Sequence, residues 1–584
     1  MAQIRIFFRS LVMEDMRKMT DNQTMKPTHH TYSDAMPSGP GLYLAPAIIL
    51  MTVALVFFIP LFTATNDLPG GLGDARFNIY ILDTVYLWMS GTGSPLLSPD
   101  MFYPFPFTLA FSDTHAATAW IYALFRFAGL DAYDAYKGWF AAGYMLTYLS
   151  AYYVGLRFSL SPFLASVAAL GFAFSLPSLA QIGHAQLINM AATPFCFLFI
   201  SRFSEKFASR DLLKFLVALC IQILINIYSG IFTLLISLIF LVVSVAFRHG
   251  LNIRSIGQAW SDFCQSIRDE GPGAPLLIFT VVGIAACAFV LGFHKYVAAL
   301  YGLGRNWSEI ATMLPRVQSY LFMDTLPYWE PVSRSMTGVL MRHEHQIFMG
   351  VPIGILFSIC LYLLVRRRAS LSLRIFTVSV LVSVLVVTAF GDLSLYWFVA
   401  KIPGFDSLRA ISRVQLVLAF LTVMAVVCLL RDHLCAEHSR KVQFSATALL
   451  ALWLVYDLAV VEKTTFSSNE ARSRIEKLHD RIDADSISDN SVLAYGGDPN
   501  LPSWVNDLDA IFLARSLGVP TLNGYSGHSV PGYAKANTCE NIERQLDTYD
   551  HWAKERGLMS LEKLDFNLVT LDMESCDLSS SDDE

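Results

Sequence analysis

Charged side chains are scarce in this chain, with Asp, Glu, Lys and Arg making up only 15% of 584 residues while 54% are hydrophobic. That imbalance lies outside the range of an ordinary water-soluble globule. Cysteine is thin as well, nine residues without any zinc-type spacing, so a structural zinc module is excluded. No internal repeat is visible, which counts against a transporter built from two inverted halves. The centres of the apolar stretches hold no ionisable residue, the usual mark of an ion path, and Asp457 lies close to the end of its stretch. A cleavable secretory signal is also missing. Charges interrupt the opening MAQIRIFFRSLVMEDMRKM, which reads as a cytoplasmic leader over 1–42 with a short amphipathic helix.

What the chain has in quantity is apolar runs of membrane-crossing length. In lipid, backbone groups need internal partners, so such runs read as helices. Eleven are expected, at 43–65, 136–156, 162–180, 187–202, 212–228, 230–247, 274–293, 346–365, 374–390, 411–430 and 442–461. The predicted fold is therefore an α-helical polytopic membrane protein. Lys and Arg orient it: the turns 181–186 and 226–230 carry none, whereas connections on the other side hold Arg157, Arg202, Arg248 and the triplet Arg366, Arg367, Arg368. The N-terminus is then cytoplasmic, and the segment 462–584 extracytoplasmic. The net charge of −6 mixes two membrane faces and gives no sign of a nucleic-acid partner; the lipid bilayer is the expected one.

The first outer loop, 66–135, has an organisation of its own. Residues 77–90 carry Phe77, Tyr80, Ile81, Val85 and Trp88 among few charges, the pattern of a helix lying in the membrane interface. Pro99, Pro104 and Pro106 then forbid a long helix, and a second interfacial helix is expected from about Ser112 to Gly129. At the head of this loop stands Asp74. Four further pieces share its side of the membrane: GHAQLINMAATPF, HEHQIFMGVPIGIL, LRAISRVQLVLAF and TLNGYSGHSVPGY.

An acid directly after the first span, two interfacial helices and a many-spanning body resemble the GT-C superfamily of integral-membrane glycosyltransferases. The pieces GDARFNIYILDTVYLW and FYPFPFTLAFSD, with the four above, are similar to a poorly characterised bacterial branch of it and run from about residue 70 to 535. The resemblance implies an inverting transferase in a bacterial inner membrane. It would move a sugar from a polyprenyl-phosphate donor to a glycan, lipid or protein acceptor at the extracytoplasmic face. It also implies that Asp74 is the catalytic base, although Asp74 precedes a helix and an N-cap is the competing reading.

Such chemistry needs a carboxylate to take the acceptor proton and a cation to receive the departing phosphate. Arg409 and Arg413 stand four residues apart at the mouth of a span, read as one helix face, and a guanidinium fork suits phosphate oxygens. Snorkelling flank residues are the alternative, but positive flanks are disfavoured on the outer side. His184 in the turn QIGHAQ is a further phosphate contact, and Glu344 a second site carboxylate. His343, Glu344 and His345 are adjacent, diverge on a helix and cannot all ligate one ion. No metal-ligand set is evident, and a divalent ion is left open as a cofactor. Asp113 is either a helix cap or an acceptor contact, and His115 reads as a surface residue.

The tail, 462–584, is long enough for its own core, with strands expected at SVLAYGG and FNLVTLDM and a helix at DLDAIFLARSLG, an α/β domain. Its loop NGYSGHSVPGY places Tyr525 and His528 as sugar or acceptor contacts, or is an ordinary linker. Cys539 and Cys576 alone fall in this outer domain, so a disulfide is expected, with two unrelated thiols as the other reading. The closing SSSDDE is expected to be disordered. Two other functions stay open at this stage: a lipid-linked saccharide flippase or polymerase, and a non-catalytic membrane scaffold.

Overall fold

The computed structural model describes residues 37–269, 271, 273–434, 440–483, 486–534, 536–573 and 576. The expected leader helix before residue 37, Cys435 and the closing SSSDDE lie outside these. Among the described residues six helices are long and apolar enough to cross a membrane: Gly41–Thr63, Pro162–Ala180, Ile227–Arg248, Ala274–Tyr301, Ile411–His433 and Lys441–Val460. The other five apolar stretches fold as Ala132–Arg157, Thr193–Lys206, Ser209–Ile225, Val351–Val365 and Leu371–Val387, each shorter or less apolar. The 14 residues of Thr193–Lys206 span about 21 Å, short of a hydrocarbon core of roughly 30 Å. The helical membrane body follows the expectation.

Helix limits follow local chemistry. The stretch expected from 187 begins only at Thr193, because Pro194 favours a first-turn position and the preceding residues form a turn. That lengthens the turn carrying His184. The tight pair Ser209–Ile225 and Ile227–Arg248 is divided by Asn226 alone, whose side chain accepts from the Ser229 backbone N–H. A Cβ on Gly230 would stand 2.5 Å from the Ile223 Cα, so this hairpin needs glycine there.

Gln415–Leu429 is buried along its whole length and forms the axis of the body. Around it pack Pro162–Ala173, Ile227–Arg248, Val351–Val365 and Leu371–Val387. Ala274–Tyr301 stands at the edge against Ser209–Ile225, with Phe279 and Phe289 exposed as a lipid-facing helix would have them.

The loop 66–135 departs from expectation in two respects. Its first helix starts at Asp74 and ends at Ser90, capped by Gly91 in the left-handed region. Residues Ala75 to Thr84 are buried on every face, not laid in an interface. One side packs on Ala119–Phe127 and the helical body, through Ala75, Ile79 and Leu82, and the tail covers the other. Arg76 makes a fully buried ion pair with Asp509 at 2.7 Å, and Arg515 donates to the Tyr80 carbonyl at 2.8 Å. The second loop helix is shorter than expected, Ala119–Phe127, and it does carry an exposed apolar stripe of Trp120, Leu124 and Phe127. Asp83 joins the two loop helices, accepting from Tyr122 at 2.9 Å and forming an ion pair with Arg126 at 3.0 Å.

The tail is an α/β unit. Ser491–Tyr495 and Asn567–Leu571 pair in parallel, and Leu493 bridges to Thr521 beside them. Helices Ser468–His479, Ser503–Leu517 and Cys539–Glu555 pack around these strands. Cys539 and Cys576 are disulfide-bonded. The tail is stitched to the loop through main chain: Phe102 N–H donates to Asn523, and Tyr103 N–H to Thr521, both at 2.9 Å. Leu68–Pro69 pairs antiparallel with Thr465–Phe466.

Candidate functional site

Asp74 occupies the first turn of Asp74–Ser90, where the helix dipole favours a carboxylate, so it is not the N-cap; Gly73 is. Nor is it bare. His184 Nε2 lies 3.0 Å from its Oδ2, and the Tyr525 hydroxyl donates to its Oδ1 at 2.6 Å. Gly73 makes room for this, since a Cβ there would come within 3.2 Å of the Tyr525 oxygen. The Tyr525 ring also meets Phe77 edge-on.

The same His184 nitrogen is 3.8 Å from Glu344 Oε1. Glu344 in turn accepts from Arg413 through two bonds, Nε at 2.9 Å and Nη2 at 2.7 Å, leaving Nη1 outside the pair. Carboxylate, imidazole, carboxylate and guanidinium thus form one chain: Asp74, His184, Glu344, Arg413. Its two ends differ in access. The Asp74 side chain is 38% exposed, those of Glu344 and Arg413 only 4% and 9%.

The electrostatics follow from these contacts. Burial acts to raise the Asp74 pKa, but the bond and charge of His184, the Tyr525 hydroxyl and the Arg413 charge outweigh it and hold it at about 2. Burial likewise pushes Glu344 upward, and the charge and hydrogen bonds of Arg413 bring it down to about 2. Burial and the neighbouring Asp74 carboxylate push the Tyr525 phenol far up, so it stays a donor. A carboxylate held this low is a feeble base while His184 and Tyr525 are in place. Losing those donors would raise its basicity.

Arg409 parts company with Arg413. The helix-face spacing fails because residues before Gln415 are not α-helical: Ile411–Val414 is a 3-10 turn and Arg409 precedes it. Arg413 goes to Glu344, whereas Arg409 Nη1 lies 3.5 Å from Glu309 Oε1. Tyr228 stands between, accepting from the Arg409 backbone N–H at 3.0 Å while the Arg413 guanidinium lies 5.5 Å from its ring centre. His528, paired in the sequence reading with Tyr525, instead meets Arg305 at 3.2 Å.

Asp113 serves as a cap. Its Oδ2 accepts from Asn226 at 2.7 Å and from the Ile227 N–H at 3.0 Å, at the start of Ile227–Arg248 and not of its own loop helix. Burial pushes its pKa up to about 6 against the pull of those backbone bonds. His115 is no surface residue: it is buried, with its ring pushed down to about 3 by desolvation and so neutral. Its Nε2 is 2.9 Å from Asn78 Oδ1, and the Asn78 amide donates to the Asp74 carbonyl at 2.8 Å and to Gln186 at 2.9 Å. This network joins the turn of Asp74 to the turn of His184. His345 is held by Ser319 and the Thr312 carbonyl. Among the described residues no group of three or more His, Cys, Asp or Glu is arranged to hold a metal ion. A cavity of about 410 Å³, lined in part by Ser308, Thr312, Arg316 and Leu340, includes none of the residues singled out from sequence.

Sequence reasoning missed Tyr228, Glu309, Arg305 and Asn78. Asn78 lies one turn from Asp74 and could have been found as a polar residue on an apolar helix; the other three carry no local signal.

No protein-family model matches the chain, and no curated protein matches it. Among solved structures it is similar to the archaeal oligosaccharyltransferase AglB from Archaeoglobus fulgidus, determined in complex with an inhibitory peptide and a dolichol-phosphate. The identity is 11% and the TM-score 0.44, over 83% of this chain and 64% of that one. The chain thus matches less than two thirds of that protein's length.

Proposed function

We propose that this chain is a GT-C-type membrane glycosyltransferase that moves a sugar from a polyprenyl-phosphate donor to an acceptor at the extracytoplasmic face of a bacterial inner membrane. The observation that carries the reading is the meeting of Asp74, His184, Glu344 and Arg413 from four separate segments at the end of the helical body that holds the tail. In this reading residues 43–461 are the transferase body, the leader is cytoplasmic and the tail extracytoplasmic.

The acceptor hydroxyl enters beside Asp74, displacing the Tyr525 and His184 donors. Its oxygen attacks the anomeric carbon while the bond from that carbon to the phosphate oxygen breaks, and the electron pair leaves with the phosphate. Asp74, its donors gone, takes the proton. Arg413 Nη1 and the His184 ring face the phosphate oxygens, and Glu344 holds the guanidinium in place. Inversion at the anomeric carbon follows from a single displacement.

The test is transfer by the purified full chain in nanodiscs, using a radiolabelled polyprenyl-phosphate sugar and wild type beside Asp74→Asn. The variant is expected to lose transfer by about 10²-fold or more while keeping the wild-type melting curve. Wild-type turnover by a folded Asp74→Asn protein overturns the proposal; a scaffold would show that indifference.

A further inference from the structure

The helix Ile253–Asp269 takes no part in the site, and its surface is unlike that of the spans beside it. It joins Ile227–Arg248 to Ala274–Tyr301. At their far ends those two spans reach the site and the tail. The Tyr228 ring centre is 5.5 Å from the Arg413 guanidinium, and the Tyr301 ring stacks on Trp552 with centres 4.8 Å apart. The connecting helix therefore lies at the end of the membrane body away from the tail.

One side of this helix is moored to the body. The Ser209 N–H donates to Ser266 Oγ at 2.8 Å, Ser266 donates to Ser209 Oγ at 3.1 Å, and Phe263 meets Phe203 edge-on. Another side is apolar and open: Ile253, Trp260 and Ile267 are 89%, 67% and 47% exposed. They stand seven positions apart, two helical turns less about 20°, and so form one stripe about 21 Å long. Arg254 and Arg268 each follow a stripe residue by one step, about 100° round the helix, and flank the stripe with exposed side chains. Asp262 and Asp269 follow by two steps, about 200°, and lie on the opposite side. There Gln258 and Gln265 donate to them at 2.7 Å and 3.1 Å.

A row of large apolar side chains on a helix otherwise this polar marks a surface that something covers. The neighbouring chain says what. Ala274–Tyr301 exposes Leu277, Ile278 and Phe279 near its start, so apolar surface runs on from the stripe into a lipid-facing span. Arginines at the edge of the stripe, with the acids turned away, match a layer of negative headgroups that long guanidinium stems can reach. We infer that Ile253–Asp269 docks on the bilayer leaflet opposite the tail. Ile253, Trp260 and Ile267 enter the acyl boundary, and Arg254 and Arg268 hold anionic lipid headgroups. This surface is independent of the transfer chemistry and stands whether or not the chain moves a sugar.

The experiment uses the purified full chain in nanodiscs of phosphatidylcholine, with or without phosphatidylglycerol. The emission of Trp260, isolated as the difference between wild type and Trp260→Phe, is expected to be quenched by brominated phosphatidylcholine and shielded from acrylamide in the water. Hydrogen–deuterium exchange over 253–269 is expected to be about five-fold slower or more when phosphatidylglycerol is present. The double variant Arg254→Gln with Arg268→Gln should lose that dependence on lipid charge while keeping the wild-type Tm. Asp262→Asn should strengthen it, a gain that misfolding cannot produce. Quenching by acrylamide without quenching by brominated lipid overturns the docking and leaves the stripe to a partner other than the bilayer. Quenching by brominated lipid with equal exchange in the two bilayers overturns the role of Arg254 and Arg268.

Discussion

The Tyr525 hydroxyl, from a loop of the tail domain, donates to Asp74 Oδ1 at 2.6 Å across 451 positions of sequence. The contact makes the tail part of the site, not an appendage. After His184, whose bond and charge act more strongly, it helps hold the Asp74 pKa at about 2, below the ordinary 3.8. Removing the hydroxyl with Tyr525→Phe takes away one donor to the charged form, so the pKa rises toward 3.8. The sign is fixed: the ionised form persists above the pKa, and a higher pKa means that protonation begins at higher pH. Infrared titration of the carboxyl band, with Asp74→Asn as the blank, should show an upward move of about half a unit to one unit. No movement would mean that Tyr525 does not bond Asp74.

Glu344 and Arg413 are almost entirely enclosed, at 4% and 9% exposure. Removing one member leaves the other charge buried without its partner, which costs about 3–5 kcal/mol. Glu344→Gln and Arg413→Gln should each lower the Tm of the purified protein strongly, and the double variant should lose much less than the sum of the two single losses. Additive losses in this double-mutant cycle would show that the pair is not coupled.

Most of the helical body was legible because lipid imposes a length and a composition on each crossing, and every expected apolar stretch is helical. Asp74, His184, Glu344 and Arg413 could likewise be picked out singly, as polar residues at the ends of apolar runs. What failed were arguments that assumed one continuous helix or an open surface. The i, i+4 spacing of Arg409 and Arg413 has no meaning where the backbone is not α-helical, so Tyr228 could divide them unseen. The loop helix looked interfacial because one of its faces is covered by the tail, through Asp509 and Arg515 more than 400 positions away. His115 looked exposed for the same reason, since its Asn78 partner lies on another segment. Local pattern shows a residue's own element, and these contacts belong to the packing of distant ones.

The Cys539–Cys576 disulfide closes a segment of 37 residues in the tail. Cross-links of that size stabilise by about 2–4 kcal/mol, chiefly by restricting the unfolded chain. Cys539→Ser should lower the thermal transition of the tail, and dithiothreitol should do the same to wild type but add nothing to the variant. An unchanged transition in both would place the tail's stability elsewhere.

The clamp between the tail and the loop helix converges on Asp509. Arg76, fully buried, and Arg474 both donate to it. Arg76→Met keeps the volume of the side chain but removes its charge, leaving Asp509 with Arg474 alone. Because the lost partner is the buried one, the interface should weaken by a few kcal/mol. The main-chain links at Phe102 and Tyr103 remain, so the tail should stay folded but loosen from the loop helix. Limited proteolysis is expected to cut the connection near 461–467 faster than in wild type, and transfer should fall because the tail loop that borders Asp74 is no longer held over the site. Unchanged cleavage together with unchanged transfer would show that the tail is held in place without this ion pair.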